Sequence, residues 1–357
     1  MLIDFLFLFS SSIAYLFILR KLAKKVELVD KPNERKLHQG QIPLVGGLAV
    51  CLSITQYLYY QPNLLPHHSL YVGCILCLTA IGVLDDKLDI SFKIRIAVQI
   101  ALSILLMWGT GISLKSLGSM FGFGPVELGP LGHIVTILAI VGAINAFNMV
   151  DGIDGLLGGL STVTFASIAL ILYLHGNLAM MQFSLALCVA ILPYILFNLG
   201  FFGKTRKVFM GDAGSMMIGF TVIYLLLFTT QNNTQAPMRP VTALWLIAIP
   251  LMDMVAVMIR RIRRGHSPFK PDREHFHHIC QRIGLNSTQT LCLICACAMF
   301  CASIGIVGDL LKIPEVIMFL AFLCLFSIYV AILNRIWRIT SLIRRFHQKL
   351  RISTSNL

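Results

Sequence analysis

Residues 131–155 read LGHIVTILAIVGAINAFNMVDGIDG. The run Leu131–Phe147 contains no Asp, Glu, Lys or Arg, and it approaches the roughly 20 residues that a helix needs to cross a bilayer. Oxygen-bearing side chains follow at intervals of three, which places neighbouring members on one helix face. They are Asn145, Asn148, Asp151 and Asp154. The stretch therefore predicts a membrane-spanning helix that ends in a polar cluster at one membrane face.

Apolar runs of this kind occupy most of the 357-residue chain. Its residues are 57% hydrophobic and 13% charged, against about 25% charged in a soluble domain, and the mean hydropathy is +0.81. This composition excludes a water-soluble globule. We predict an all-α polytopic membrane protein with about eleven transmembrane helices in one domain, residues 1–357. The predicted spans are Leu2–Leu19, Leu44–Tyr60, Ser69–Leu84, Ile94–Thr110, Leu131–Phe147, Leu156–Leu174, Leu178–Phe197, Ala213–Thr230, Val241–Ile259, Thr288–Val307 and Val316–Leu333.

The distribution of positive charge predicts the orientation in the membrane. With the N-terminus outside and the C-terminus cytoplasmic, all but three of the 29 Lys and Arg residues lie on the cytoplasmic side, the exceptions being Lys115, Arg239 and Lys312. The first helix is predicted to be retained, because Asp4 precedes its apolar run and positive residues follow it, the reverse of a signal peptide. The net charge of +13 then reflects loop orientation and anionic ligands, and we expect no nucleic-acid partner.

Most acidic residues also lie in the cytoplasmic connections, next to helix ends. Among them is the adjacent pair Asp85 and Asp86. Like charges side by side at a membrane edge repel, so a cation or a proton should accompany them. A solvated helix end neutralised by Lys87 is the alternative. We predict that the cytoplasmic catalytic loops are residues 84–95, 145–156, 198–215 and 260–287.

A glycine-flanked carboxylate, Asp212, immediately precedes the eighth predicted span and follows Lys204, Arg206 and Lys207. An Asp in this position could simply cap the helix. The positive charges before the helix start also suit a phosphate, in which case Asp212 would hold Mg²⁺. The Asn and Asp series behind the fifth predicted span offers further oxygen ligands for a hard cation, and capping explains only one of its two carboxylates.

The longest polar connection, residues 260–287, combines arginines with a cluster of histidines. Topological anchoring explains the arginines by itself, whereas closely spaced histidines suit donors to phosphate or nucleotide groups better than a zinc site. A surface role is the remaining alternative. Asp253, inside the ninth predicted span, should face the bundle interior near a substrate pocket. The residues of this region predicted to bind substrate are Asp253, Arg260, Arg261, His275, His277 and His278.

These motifs resemble those of the polyprenyl-phosphate N-acetylhexosamine 1-phosphate transferases. The similarity rests on NAFNMVDGIDGL at 145–156, the Asp85–Asp86 pair, VFMGDAGS at 208–215 and HFHH at 275–278, and it covers nearly the whole chain. All these motifs in one order are far more specific than any one of them. The resemblance implies a multi-pass enzyme of the bacterial inner membrane with its active site on the cytoplasmic face.

By that resemblance, UDP-N-acetylglucosamine and undecaprenyl phosphate would react within the lipid bilayer to give undecaprenyl-diphospho-N-acetylglucosamine and UMP. This is the first membrane step of O-antigen and enterobacterial common antigen synthesis. Mg²⁺ is implied as the cofactor, with Mn²⁺ as a substitute, and a homodimer is a candidate assembly. Direct attack by the lipid phosphate and a covalent aspartyl-phosphate route are both compatible with the residues.

The resemblance also implies roles for individual residues. One pair of catalytic carboxylates would deprotonate or place the lipid phosphate, and a second pair would organise the pocket; these pairs are Asp85 with Asp86 and Asp151 with Asp154. The metal ligands would be Asp212 and Asn148. The arginine and histidine residues would bind the nucleotide phosphates together with Asn145, Asn148 and Lys207.

Other classes of protein fit part of the pattern. A prenyltransferase would use Asp85, Asp86 and Asp89 as a D-D-x-x-D diphosphate clamp, but it would require a second clamp near a later helix. A cation-coupled transporter would place carboxylates near mid-membrane, where only Asp253 qualifies. A related transferase that uses a different sugar is a further alternative.

Overall fold

The computed structural model describes residues 1–31, 40–231, 236–268 and 274–354, which are almost entirely helical. Short 3-10 turns lie at Pro62–Leu64 and Lys204–Arg206, and the strands β1 (Val29–Asp30) and β2 (Ile42–Pro43) pair antiparallel. The predicted all-α class is confirmed for these residues. Their helices are α1 (Leu2–Lys25), α2 (Gly46–Tyr60), α3 (His68–Leu88), α4 (Phe92–Thr110), α5 (Leu131–Val150), α6 (Leu156–Leu174), α7 (Leu178–Asn198), α8 (Gly211–Thr230), α9 (Pro240–Leu246), α10 (Ala248–Arg263), α11 (Phe276–Ile283), α12 (Ser287–Leu310) and α13 (Glu315–Thr354).

The helices agree with a multi-pass membrane protein. Within the described ranges, nine helices are long and apolar enough to cross a membrane, and the bent pair of α9 and α10 makes ten if it is one span. Helix α2 occupies the second predicted span but has only 15 residues. A helix or helix pair therefore lies at each predicted apolar run, while the count of eleven full crossings and the orientation of the termini stay predictions.

The ninth predicted span, Val241–Ile259, is formed by two helices and is not one continuous helix. Helices α9 and α10 meet at Ile247 with a bend of 80°. Pro250 explains the break, because its nitrogen carries no hydrogen and cannot donate to the carbonyl of Leu246 one turn earlier. The Thr164 hydroxyl of α6 donates to that carbonyl instead, over 3.3 Å.

The buried helix α8 forms the centre of the bundle. Every residue of α8 except Asp212 is buried, and the helix packs against α2, α3, α5 and α6. A Cβ added at Gly82 of α3 would collide with the backbone of Ala213, and one at Gly219 would lie 2.6 Å from the Cα of Ile144 in α5. These close approaches place the ends of α3 and α5 beside the start of α8.

At the opposite end of the bundle, Arg239 holds the connection between α12 and α13. Its guanidinium donates to Asp309 Oδ1 over 2.8 Å and to the carbonyls of Gly308 and Ile313 over 2.6 Å each. Thr242 donates to the same Asp309 oxygen over 2.9 Å. The Asp309 side chain is only 7% exposed, so its charge depends on these donors.

We expect Arg239→Gln to lower the free energy of unfolding by about 2–3 kcal/mol. This is somewhat less than the cost of breaking a fully buried ion pair, because the Arg239 side chain is 26% exposed. Thermal unfolding in detergent measures the effect. Lys312→Gln, which removes an exposed cation from the same region, should leave the unfolding temperature unchanged, and equal shifts in the two variants would contradict a specific role for Arg239.

Candidate active site

The start of α8 is capped by a carboxylate from another helix. The backbone N–H of Asp212 donates to Asp86 Oδ1 over 2.9 Å, and that of Ala213 donates to Asp86 Oδ2 over 3.4 Å. The residue preceding α8 supplies no side-chain cap, so Asp86 of α3 takes this role. Its negative charge also interacts favourably with the positive end of the helix dipole. Gly211 has a φ of +73°, and a Cβ there would meet the Asp86 carboxylate. These two amides are therefore engaged by Asp86 and do not bind a phosphate directly.

Arg95 of α4 is the cation beside Asp85 and Asp212. Its Nη1 donates to Asp85 Oδ2 and lies 3.3 Å from Asp212 Oδ2. The Asp85 side chain is 4% exposed and that of Asp212 is 34% exposed. Asp212 is therefore the more accessible of these two carboxylates, while Asp85 is buried against its guanidinium partner.

Sequence reasoning placed Arg95 at the end of the predicted catalytic loop 84–95 but gave it no role of its own. The available signal was its position four residues before Gln99 in a mostly apolar helix, since residues at this spacing share one face. Gln99 is buried, and its Oε1 accepts a 2.9 Å hydrogen bond from Asn145 Nδ2. This bond joins α4 to α5 one turn deeper than the carboxylates, and Asn145 also donates to the carbonyl of Val141 over 2.8 Å. Both bonds give Asn145 a place in the helix packing, and its contact with substrate stays a prediction.

Asn148 orients Asp212. Its Nδ2 donates to Asp212 Oδ1 over 2.6 Å and to the hydroxyl of Ser215 over 2.8 Å. The Ser215 hydroxyl in turn donates to the carbonyl of Asp212 over 3.3 Å. The predicted metal ligands Asp212 and Asn148 are thus in direct contact, although Asn148 turns its nitrogen, and not its oxygen, towards the carboxylate.

The oxygen atoms at the start of α8 fit a hard divalent cation. Among the residues that the structure describes, no three His, Cys, Asp or Glu side chains form a complete metal cage. Mg²⁺ usually binds one or two protein carboxylates and completes its shell with water and substrate phosphates. Asp212, which is accessible and held by Asn148, suits such an open site. Asn148 could join it as a ligand only by presenting its amide oxygen.

The loop after α5 is held by the segment that precedes α8. Lys207 Nζ forms an ion pair with Asp154, and the buried Asn198 accepts a 2.5 Å hydrogen bond from the N–H of Gly155. Asn198 Nδ2 donates to the carbonyl of Val208 over 2.9 Å. The predicted residues Asp154 and Lys207 therefore lie together, with Asp151 exposed at the end of α5. Sequence reasoning missed Asn198, which has no local motif around it.

The histidine cluster packs against this same loop. The rings of His275 and His277 lie parallel with centroids 5.8 Å apart, and those of His277 and His278 are 4.2 Å apart. A Cβ added at Gly152 would collide with His277 Nε2. The structure thus brings the loop after α5 and the histidine cluster, which the sequence predicts separately, into contact at Gly152.

His277 is almost completely enclosed by the protein. It is 2% exposed, and its Nε2 is buried with no hydrogen-bond partner among the residues that the structure describes. Burial, followed by repulsion from His278 and His275, lowers the pKa of His277 to about 3. His277 is therefore neutral near pH 7, and a neutral imidazole can still donate one hydrogen bond. Its binding of substrate stays a prediction.

The positive charge of this region comes from arginines that are already hydrogen-bonded. Arg260 donates to Glu274 Oε2 over 2.7 Å, and Arg264 donates to the other oxygen. Burial alone would raise the pKa of Glu274, but these two arginines hold it below its usual value. Arg261 donates to the carbonyl of Pro268 over 2.5 Å. Substrate binding by Arg260 and Arg261 stays a prediction.

Together, the fold and this site define a multi-pass membrane protein with a carboxylate and amide cluster at one end of its helix bundle. Residues 68–230 match the model of the family described as glycosyl transferase family 4. That segment contains Asp85, Asp86, Asn148 and Asp212.

Whole-chain relatives carry one shared name, undecaprenyl-phosphate alpha-N-acetylglucosaminyl 1-phosphate transferase. The protein of Yersinia pestis is 48% identical over 354 residues, which cover 99% of this chain and 97% of the relative. That of Escherichia coli (strain K12) is 50% identical over 349 residues, with 98% and 95% covered. That of Haemophilus influenzae is 49% identical over 335 residues, with 94% of each chain covered. The chain belongs to glycosyl transferase family 4, and the resemblance drawn from its motifs is confirmed.

Proposed function

We propose that this protein transfers N-acetylglucosamine 1-phosphate from UDP-N-acetylglucosamine to undecaprenyl phosphate, giving undecaprenyl-diphospho-N-acetylglucosamine and UMP. The observation that carries the proposal is the cluster of Asp86, Asp212 and Asn148 at the start of α8, in a chain 48% identical over nearly its full length to a transferase named for these groups. The inward bias of Lys and Arg supports an active site on the cytoplasmic face of the inner membrane.

The proposed reaction exchanges one phosphoanhydride for another. An oxygen of the lipid phosphate attacks the β-phosphorus of the donor, the bond from this phosphorus to the bridging oxygen breaks, and the bridging oxygen leaves with UMP. No separate energy source is required. The protein orients the two phosphate groups and neutralises the negative charge through which they repel each other.

The contacts of the site suggest which residues bind the donor with its metal ion and which bind the lipid phosphate. We assign Mg²⁺, or Mn²⁺ in its place, to Asp212 with Asn148 as orienting neighbour; the ion would neutralise the donor diphosphate. Asp85 and Asp86 are assigned to the lipid phosphate, with Arg95 holding Asp85 next to Asp212. Asp151 and Asp154 organise the pocket beside the histidine cluster. A homodimer remains a separate proposal.

The proposed function is tested by product analysis with purified protein in detergent. With undecaprenyl phosphate and Mg²⁺ present, UMP should be released from UDP-N-acetylglucosamine far faster than from UDP-N-acetylgalactosamine or UDP-glucose. Omission of the lipid or the metal should stop the release. Preference for another UDP-sugar would support the alternative of a related transferase, and no UMP from any sugar would contradict the proposal.

Gly152→Ala should reduce kcat/KM for UDP-N-acetylglucosamine by roughly ten- to a hundredfold. The added methyl group would occupy the place of His277 Nε2, and displacements of about 1 Å can cost a hundredfold in rate. Steady-state kinetics measure the effect.

Gly142→Ala is the matched control, because a Cβ at Gly142 of α5 would meet only Met254 Cε, at 3.9 Å. This variant should keep the kinetics of the parent. Unchanged kinetics in Gly152→Ala would show that the contact between the loop and His277 is not required.

A further inference from the structure

Asp253 is a fully buried carboxylate that three groups bind at once. His275 Nδ1 lies 2.8 Å from Asp253 Oδ2, and the backbone N–H of Phe276 donates to Oδ1 over 3.0 Å. The hydroxyl of Tyr329 donates to the same Oδ1 over 2.7 Å. Asp253 is 1% exposed, so substrate cannot reach it in this arrangement. Its hydrogen bonds instead connect α10, the first residue of α11 and α13.

Apolar packing supports the same junction. The ring of Phe276 meets that of Tyr329 edge-on with centroids 5.6 Å apart. Ala256, Ile279 and Leu333 form a small buried cluster between the three helices. Helix α11 has only eight residues, too few to be stable alone, and therefore depends on these contacts for its position.

The position of α11 determines which side chains contact the loop after α5, which contains Gly152. His275 and Phe276, which Asp253 binds, immediately precede His277, whose ring lies against Gly152. The loop that contains Gly152 also contains Asp154 and its partner Lys207. The carboxylates assigned to the lipid phosphate lie elsewhere: Asp85 is bound by Arg95 of α4, and Asp86 by the first amides of α8. A shift of α11 should therefore affect one side of the site more than the other.

We propose that Asp253 and Tyr329 are positioning residues for the nucleotide-sugar donor: they hold α11 so that its histidines lie against the Gly152 loop. This inference rests on the proposed function. It replaces the expectation that Asp253 contacts substrate with a role exerted through His275 and Phe276. Tyr329, which carries no sequence motif, becomes a residue of the donor site although it lies in the last helix.

Tyr329→Phe tests the inference with little risk to folding, because it removes one hydroxyl and keeps the ring against Phe276. We expect the KM for UDP-N-acetylglucosamine to rise roughly five- to tenfold. This is less than the roughly ten- to hundredfold cost of losing one hydrogen bond to a charged group, because His275 and Phe276 remain bound to Asp253. The KM for undecaprenyl phosphate should change less than about twofold. Asp253→Asn should have a larger effect in the same direction, and the double variant should lose less than the two single losses combined, since both act through one contact.

Tyr15→Phe is the matched control. The Tyr15 hydroxyl donates to Gln56 over 3.0 Å between α1 and α2, which is also a partly buried contact between helices. It should not change either KM. A similar rise in donor KM in both tyrosine variants would indicate general loosening of the bundle and overturn the inference.

Amide hydrogen exchange provides a readout that does not require activity. Tyr329→Phe should accelerate exchange in residues 276–283 and leave Leu131–Val150 unchanged. Unchanged exchange in α11, or equal rises in KM for donor and acceptor, would overturn the positioning role. If the parent protein releases no UMP, the proposed function fails and the donor role with it, while exchange in α11 still reports whether Tyr329 holds the helix.

Discussion

Asp212→Asn should lower the rate of UMP release by about a thousandfold or more, while the protein still inserts into the membrane and folds. Asp212 is 34% exposed and contacts Arg95 and Asn148, so it is both accessible to a metal ion and fixed in orientation. Asn preserves its size but removes the charge on which Mg²⁺ binding depends. Losing one preorganised electrostatic contact typically costs about a hundred- to a thousandfold. Initial rates over a Mg²⁺ titration measure the change.

The matched control for this variant is Asp89→Asn. Asp89 is exposed at the end of α3 with a φ of 50°, a conformation that Asn tolerates well. We expect its turnover to match that of the parent. Parent-like turnover and Mg²⁺ dependence in Asp212→Asn would remove the metal assignment, and a comparable loss in Asp89→Asn would favour the D-D-x-x-D clamp of a prenyltransferase.

Asp86→Asn should lower kcat at least a hundredfold and change the KM for UDP-N-acetylglucosamine by only a few-fold. Asp86 uses both of its oxygens to bind the amides of Asp212 and Ala213. An Asn side chain has one acceptor oxygen and would turn its NH₂ towards the second amide, so one of the two amides would lose its acceptor. Because Asp86 is assigned to the acceptor side, the loss should appear in kcat rather than in donor binding.

Steady-state kinetics at saturating lipid, with a thermal unfolding curve for the same sample, test this expectation. Loss of the cap itself should cost only about 1 kcal/mol of stability, so the variant should remain folded at the assay temperature. A large rise in donor KM with unchanged kcat would move Asp86 from the acceptor side to the metal site.

Most of the helical architecture could be predicted from the sequence because each apolar run is long and contains at most one charged residue. The bend between α9 and α10 could not be read from apolarity, which continues through Ile247 on both sides. Pro250 was visible, but the carbonyl that it leaves without a donor is satisfied by Thr164, a residue far away in the chain. The geometry of such a break depends on a neighbouring helix.

In the candidate site, too, the sequence identifies individual residues but not the contacts between them. Local motifs were enough to select four residues of the site: Asp85, Asp86, Asn148 and Asp212. Placing charged or amide side chains at the ends of apolar membrane helices costs free energy, so such residues usually have a function. Their arrangement depends on contacts between distant segments. Arg95 meets a carboxylate 117 positions away, and Tyr329 meets one 76 positions away. A single sequence gives no signal for pairs of this kind.

The fate of the donor's β-phosphate tests the central claim most directly. UDP-N-acetylglucosamine labelled with ³²P at the β-phosphate is incubated with the purified protein, undecaprenyl phosphate and Mg²⁺, and the mixture is separated into lipid and aqueous phases. The proposed transfer carries the β-phosphate with the sugar, so the label should enter the lipid phase in amounts equal to the UMP released. Label that stays in the aqueous phase as UDP, with the sugar alone in the lipid, would contradict the transfer of a sugar phosphate.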